Sequence, residues 1–194
     1  MAKFEPRLSS DGVSTSPWYV SDKNPFEAAG YGMPNCTCYA YGRYAEARNA
    51  WANLPTSDAK NWYEQATAFT RSTTTPGLGA VICWGCSGSG PGHVGIVETI
   101  AENGDIQVSM SHWSARTNPN IPYWELVTIY ASNKYEWAWL GSDYYFQGFI
   151  YNDWGDTPGP GPGPTPSGKI PKGALIKRVK NNGYIRQKRI HRRK

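Results

Sequence analysis

Two cysteines stand two residues apart in Asn35-Cys36-Thr37-Cys38-Tyr39, and a histidine opens the run Gly92-His93-Val94-Gly95-Ile96-Val97-Glu98. A thiolate is a strong nucleophile. An imidazole can take the proton from a thiol and later return one to a leaving group. If the fold brings the two segments together, the residues describe a hydrolase with a thiol nucleophile. Of the three histidines, His93 is joined by His112 in Ser109-Met110-Ser111-His112-Trp113 and by His191 near the C-terminus.

Such a nucleophile needs a base within reach, help in ionising, and donors for the oxyanion. The amino end of a helix supplies unpaired amides and a favourable dipole for negative charge. Residues 37–49 read as a helix, with Ala and Arg favouring it and Gly42 costing about 1 kcal/mol relative to Ala unless packing demands a small residue. Cys36 sits at the start of this helix. Cys38 lies further into the first turn and points to a different side, so the residues favour Cys36 as nucleophile. The loop Ser87–Gly92 delivers His93 to a strand over 94–100. Glu102-Asn103-Gly104-Asp105 reads as a hairpin turn and 106–110 as the returning strand. Period-two alternation puts Met110 and His112 on one face of that strand, beside the strand that His93 opens.

The remaining elements complete an α+β pattern. A second helix is expected after Thr56-Ser57-Asp58, capped by Thr56 or Ser57 and running through Trp62 to about Phe69. Thr73–Gly77 is a turn, residues 80–84 form a short apolar strand, and another strand is expected around 145–151. Residues 1–23 read as a loosely ordered lead-in segment and residues 24–153 as the main domain. The Pro/Gly linker, 154–168, reaches at most roughly 3.1 Å per residue where extended. Residues 169–194 form a basic tail with too few apolar side chains to build a core.

Composition narrows the partners. Hydrophobic residues make up 39% of the 194, enough for a real core, and the 14% aromatic content is dominated by 9 Trp and 13 Tyr. Rings with an apolar face and a polar tip suit extended polar ligands such as glycan or peptide strands. The formal charge of +5 hides an asymmetry: residues 169–194 hold eleven Lys or Arg and no acid, which leaves nine basic against fifteen acidic residues in 1–168, a net of −6. The tail suits anionic wall polymers or a membrane surface. Its charge also fits nucleic acid, but no recognised nucleic-acid fold accompanies it, and no specific nucleic-acid partner is expected. No 18-residue apolar run is present, and the first residues lack the apolar core and cleavage site of a secretory signal. The expectation is a monomer made in a cytoplasm without a signal peptide; if it works outside, something else lets it out.

Four segments, in order and with fitting spacing, resemble the CHAP family of cysteine amidohydrolases and peptidases, common in bacteriophage endolysins and other peptidoglycan hydrolases. They are Asn35-Cys36-Thr37-Cys38-Tyr39, Pro76-Gly77-Leu78-Gly79-Ala80-Val81 leading to Trp84, Gly92–Glu98, and Tyr145-Phe146-Gln147-Gly148-Phe149-Ile150-Tyr151. The resemblance implies a papain-like α+β fold of the CHAP/NlpC-P60 type, with N-terminal helices packed on an antiparallel sheet. It implies Cys36 as nucleophile, His93 as base and the Cys36 backbone amide as an oxyanion donor. The implied substrate is peptidoglycan, cut by an N-acetylmuramoyl-L-alanine amidase or endopeptidase reaction.

One departure stands out. Family members commonly carry Ser-Glu-x-Asn-(Trp/Tyr) after the histidine hairpin, with the Glu and Asn orienting the histidine. Here the Glu position holds Met110 and the Asn position His112. His112 is the expected third member of the site, through a ring nitrogen. Ser111, a backbone carbonyl or an acid elsewhere are the alternatives. Some relatives bind calcium through an acidic loop before the nucleophile, but Ser21–Glu27 lacks alternating Asp ligands, so neither metal nor cofactor is expected. The rival reading is a non-catalytic wall- or nucleic-acid-binding protein whose Cys36, Cys38, Cys83 and Cys86 form a structural zinc site. Its C-x-x-C half has zinc spacing and its C-x-C half is tighter than usual.

Overall fold

The computed structural model describes residues 4–152; the linker and basic tail lie outside the described residues. The elements run α1 (Pro17–Val20), α2 (Pro25–Ala28), α3 (Cys36–Arg48), a 3-10 turn at Ala59–Asn61, α4 (Trp62–Gln65), β1 (Arg71–Ser72), β2 (Val81–Cys86), β3 (His93–Ile100) and β4 (Ile106–Met110). A 3-10 turn at Trp113–Arg116, β5 (Glu125–Ile129), two more 3-10 turns at Ala131–Asn133 and Ala138–Leu140, and β6 (Tyr144–Ile150) follow. The strands form one antiparallel sheet in the order β1-β6-β2-β3-β4-β5. This is the α+β arrangement the sequence predicts, with helices against an antiparallel sheet.

Helix α3 is the central element. Asn35 caps it: its side-chain oxygen accepts from the backbone N–H of Thr37 at 2.8 Å and of Cys38 at 3.4 Å, which satisfies amides that a helix start otherwise leaves unpaired. Asn49, in the left-handed region at φ 51°, ends it. Every residue from Cys36 to Ala45 is buried, so this helix is packed on all sides. Gly42 is explained by that crowding, because a Cβ there would lie 2.4 Å from the Trp18 carbonyl oxygen.

Two apolar layers enclose the sheet. Val81, Cys83, Val94, Ile96 and Ile150 pack with α3 residues such as Ala40 and Tyr44. On the other face Ile82, Trp84, Val97, Val108, Met110 and Phe149 pack with Ile129 and Tyr135. Alternation along each strand produces the two faces.

Helix and strand are joined by a buried ionic network. The Arg43 guanidinium donates to Glu98 through Nε at 2.9 Å and Nη2 at 2.9 Å. Glu98 is fully buried and Arg43 is only 4% exposed. The Glu98 carboxylate also accepts from Ser109 Oγ at 2.6 Å and from the Arg7 backbone N–H at 2.7 Å. Arg43 Nη1, the Arg7 guanidinium and Tyr19 Oη all donate to Glu46. Ser109 Oγ in turn accepts from Tyr39 Oη, which accepts from Trp124 Nε1.

Three expectations need correction. From residue 4 the lead-in is ordered: it contains α1, Val13 and Tyr19 are buried, and Arg7 enters the ionic network. Its anchors are polar contacts to distant residues, which leave no periodicity in the sequence. The second helix is shorter than expected. A 3-10 turn leads into α4, which ends at Gln65, and Ser57 Oγ bonds Gln65 instead of capping. The Lys60 N–H donates to the Pro91 carbonyl and Trp62 Nε1 to the Ser57 carbonyl, so tertiary bonds take the place of further helical turns. Strands β1 and β5 were not expected. One has two residues, and the other is a half-exposed edge strand without alternation.

Removing one partner of the Arg43–Glu98 pair strands a buried charge. Glu98→Ala and Arg43→Ala are each expected to lower unfolding free energy by about 3–5 kcal/mol, measured by urea titration; a loss below about 1 kcal/mol would show that the pair does not hold the helix.

Candidate active site

The thiol of Cys36 occupies the first position of α3. The Thr37 and Cys38 amides donate to Asn35, and the backbone N–H groups of Val94, Thr37 and Cys36 itself favour negative charge on the Cys36 sulfur. Val94 follows His93 in β3, so the helix start and the strand start meet at this sulfur. Burial outweighs the amides, and Asp58 adds to it, so that Cys36 is pushed up to about 11. The protein at neutral pH therefore holds a thiol at this position.

Cys38 faces elsewhere. Its sulfur lies 3.5 Å from the Tyr19 carbonyl oxygen, and burial pushes its thiol up to about 12. Cys83 is fully buried in β2 opposite Val94 and is raised by burial alone. All four cysteines are free thiols, and among the described residues no three His, Cys, Asp or Glu side chains gather as a metal site.

His93 pairs with Trp84 across β2 and β3 and is 5% exposed. Its Nε2 lies 3.2 Å from Met110 Sδ. A thioether only accepts, so Nε2 carries the hydrogen and Nδ1 is the basic nitrogen of the neutral ring. Burial, and then the charge of His112, hold His93 well below 6.5, which keeps the ring in that neutral form. No hydrogen bond joins the Cys36 thiol to the His93 ring among the described residues, and such bonds often form only when substrate arrives.

The residues around His93 reach it from several elements. The His112 ring stacks on it with centroids 5.1 Å apart and planes 10° from parallel. Trp84 and Trp137 each lie 5.9 Å from it. His112 Nε2 lies 2.5 Å from Glu125 Oε1. A carboxylate is the acceptor, so His112 donates. Glu125 sits opposite Met110 in the β4–β5 register. Sequence reasoning did not name Glu125; the general option of an acid elsewhere was the only trace of it, because the strand that carries it was not foreseen. Ser111, one of the alternatives, is occupied otherwise: its hydroxyl accepts from the Asn35 N–H at 3.1 Å and donates to the Tyr123 carbonyl at 2.7 Å. That ties the cap of α3 to the end of β4.

Two tryptophans lie near His112, and a second aromatic pair is exposed. Trp137 and Trp139 stack at 5.0 Å, and Trp139 lies 4.8 Å from His112 while remaining 54% exposed. Trp113 and Tyr31, also exposed, lie 6.0 Å apart. Arg116 covers Trp113 at 4.2 Å and donates to the carbonyls of Gly32, Met33 and Pro34, which fixes the segment leading into Cys36.

Parts of the chain are similar to known proteins. Residues 26–112 match the model of the CHAP domain family. The protein described as probable autolysin LDP from Staphylococcus aureus (strain NCTC 8325 / PS 47) is 36% identical over 86 residues, 43% of this chain and 29% of that protein. The crystal structure of N-acetylmuramoyl-L-alanine amidase from Staphylococcus aureus is similar at a TM-score of 0.42 and 26% identity, over 60% of this chain and 32% of that one. The chain thus spans less than a third of the length of each. The segment that matches, residues 26–112, runs from α2 through Cys36 and His93 to His112 and is similar to a CHAP domain.

Proposed function

We propose that this protein is a peptidoglycan hydrolase that cuts an amide bond by a Cys-His thiol mechanism, either as an N-acetylmuramoyl-L-alanine amidase or as a peptidoglycan endopeptidase. The observation that carries the reading is the Cys36 sulfur at the start of α3, close enough to the amide of the residue after His93 for that amide to favour its thiolate. The family of residues 26–112 and the autolysin among the relatives support it. The exposed Trp139 ring beside His112 offers an apolar face with a polar edge, which suits a glycan or peptide strand.

In this mechanism His93 Nδ1 takes the Cys36 proton as the sulfur attacks the scissile carbonyl carbon. The oxyanion of the tetrahedral intermediate is held by backbone amides at the helix start, the Cys36 N–H among them. The C–N bond then breaks, His93 protonates the departing amine, and a thioester to Cys36 is left. A water that gives its proton to His93 attacks the thioester, releasing a carboxylate and restoring the thiol. The position of Cys36 at neutral pH makes this a general-base attack in which proton transfer accompanies substrate binding. In the same reading the enzyme is an endolysin, a monomer made in a host cytoplasm. It acts on the bacterial wall after release, with the basic tail drawn to anionic wall polymers or the membrane surface.

Clearing of a purified cell-wall suspension tests the assignment. Cys36→Ser is expected to abolish clearing and Cys38→Ser to retain it. Lysis by the Cys36 variant would refute the mechanism, and binding without lysis by the wild type would favour a wall-binding protein. New N-terminal alanine in the products marks amidase action, and new stem or bridge termini mark endopeptidase action. The protonation state has its own test. Alkylation of Cys36 by iodoacetamide in the free protein should be slow at neutral pH and climb steadily toward pH 11, since the reactive thiolate appears only there. A fast plateau between roughly pH 5 and 8, the mark of a thiolate–imidazolium pair, would contradict it.

A further inference from the structure

The contact at His93 Nε2 is chemically weak. Met110 Sδ at 3.2 Å accepts only a poor hydrogen bond and brings no charge to balance an imidazolium. An imidazole that shuttles protons needs a partner that fixes its ring, and in Ser-His-Asp sites a carboxylate does this directly. Here a carboxylate is present one ring further out. Glu125 Oε1 accepts from His112 Nε2 at 2.5 Å, and the His112 ring lies flat on His93 with centroids 5.1 Å apart. Trp137 borders both histidines, at 5.9 Å from His93 and 6.2 Å from His112, and Trp139 closes on His112 at 4.8 Å. With its ring enclosed and one nitrogen held by Glu125, His112 presents a fixed plane to His93.

We propose that Glu125 is a positioning residue which, acting through His112, holds the His93 imidazole in the orientation needed to exchange a proton with Cys36. The inference rests on the reading of Cys36 and His93 as the reacting pair. Glu125 touches neither of them. Its place follows from the β4–β5 register, in which it lies opposite Met110. The carboxylate has moved to the next strand, and a second imidazole spans the gap.

The electrostatics run in the same direction. His93 is faced by Met110 and His112 from β4, Trp84 from β2 and Trp137 from the segment before the last 3-10 turn. His112 is faced by Glu125 from β5, by Trp137 and by Trp139. Glu125 is the carboxylate in this set; Asp58 acts on Cys36. After burial, His112 is the group that holds His93 below its ordinary value, and Glu125 is the hydrogen-bond partner that holds the His112 ring in place. Removing His112, or releasing its ring by removing Glu125, takes away that opposition, and His93 is protonated at higher pH.

The test compares the full-length wild type with Glu125→Gln, His112→Asn and the conservative Glu125→Asp. Each carries His191→Ala, so that only His93 and His112 contribute imidazole Cε1–Hε1 signals in NMR. The midpoint of the His93 titration is expected to move to higher pH in Glu125→Gln and His112→Asn, and to return toward wild type in Glu125→Asp. With soluble peptidoglycan fragments, Glu125→Gln should lower kcat by about tenfold, a part of the usual general-base contribution. KM should stay within about twofold, because no group that binds substrate is altered. An unmoved His93 titration in both Glu125→Gln and His112→Asn overturns the proposal, even if activity falls. The titration needs no substrate, so a wild type inactive on peptidoglycan would sink the hydrolase reading while the NMR result still decides the role of Glu125.

Discussion

The site depends on one buried ion pair. Arg43 lies on the helix that begins with Cys36, and Glu98 on the strand that begins with His93, so the bond between them sets how helix and strand are aligned. Two charges out of water are costly, and the pair holds because its geometry is bidentate and the leftover acceptor capacity is filled. Ser109 and the Arg7 amide do the filling for Glu98, while Glu46 meets the rest of the Arg43 guanidinium. Through Tyr39 and Trp124 the same network reaches the segment before β5. The alignment of thiol and histidine segments is thereby tied to residues as distant in sequence as Arg7 and Trp124.

That network also explains the closing residue of the Gly-His-Val-Gly-Ile-Val-Glu run. Glu98 stands at the far end of the motif from His93 and faces the helix. Gly95, in the middle, leaves room where a Cβ would lie 2.6 Å from a Val108 methyl. Chemistry and packing share seven residues, and for this reason the motif is compact enough to read in the sequence.

What was legible followed from local signals. An Ala- and Arg-containing run over 37–49 announced the helix that begins at Cys36, and Asn103-Gly104 between apolar runs announced the β3–β4 hairpin. Alternation from Met110 to His112 placed both beside His93, where they lie. What was hidden depends on partners far along the chain. Arg7 and Tyr19 are ordered by Glu98 and Glu46, and the turn before α4 is held by Pro91. Glu125 became visible only once β5 was seen to lie beside β4, because an edge strand with one buried residue has no period to detect.

The departure from the familiar orienting residues thus ends in a rearranged site. Met110 lies against His93 Nε2, His112 supplies a stacked plane, and burial favours the neutral thiol and imidazole. The central claim is that Cys36 forms the covalent intermediate. Acid-quenched turnover of a soluble peptidoglycan fragment, followed by intact-mass measurement and peptide mapping, tests it most directly. The account predicts an acyl adduct on the peptide containing Cys36, with the sulfur of Cys36 as the bonded atom. Turnover with an adduct on Cys38, or with Cys36 freely alkylated before quenching and activity undiminished, would contradict it.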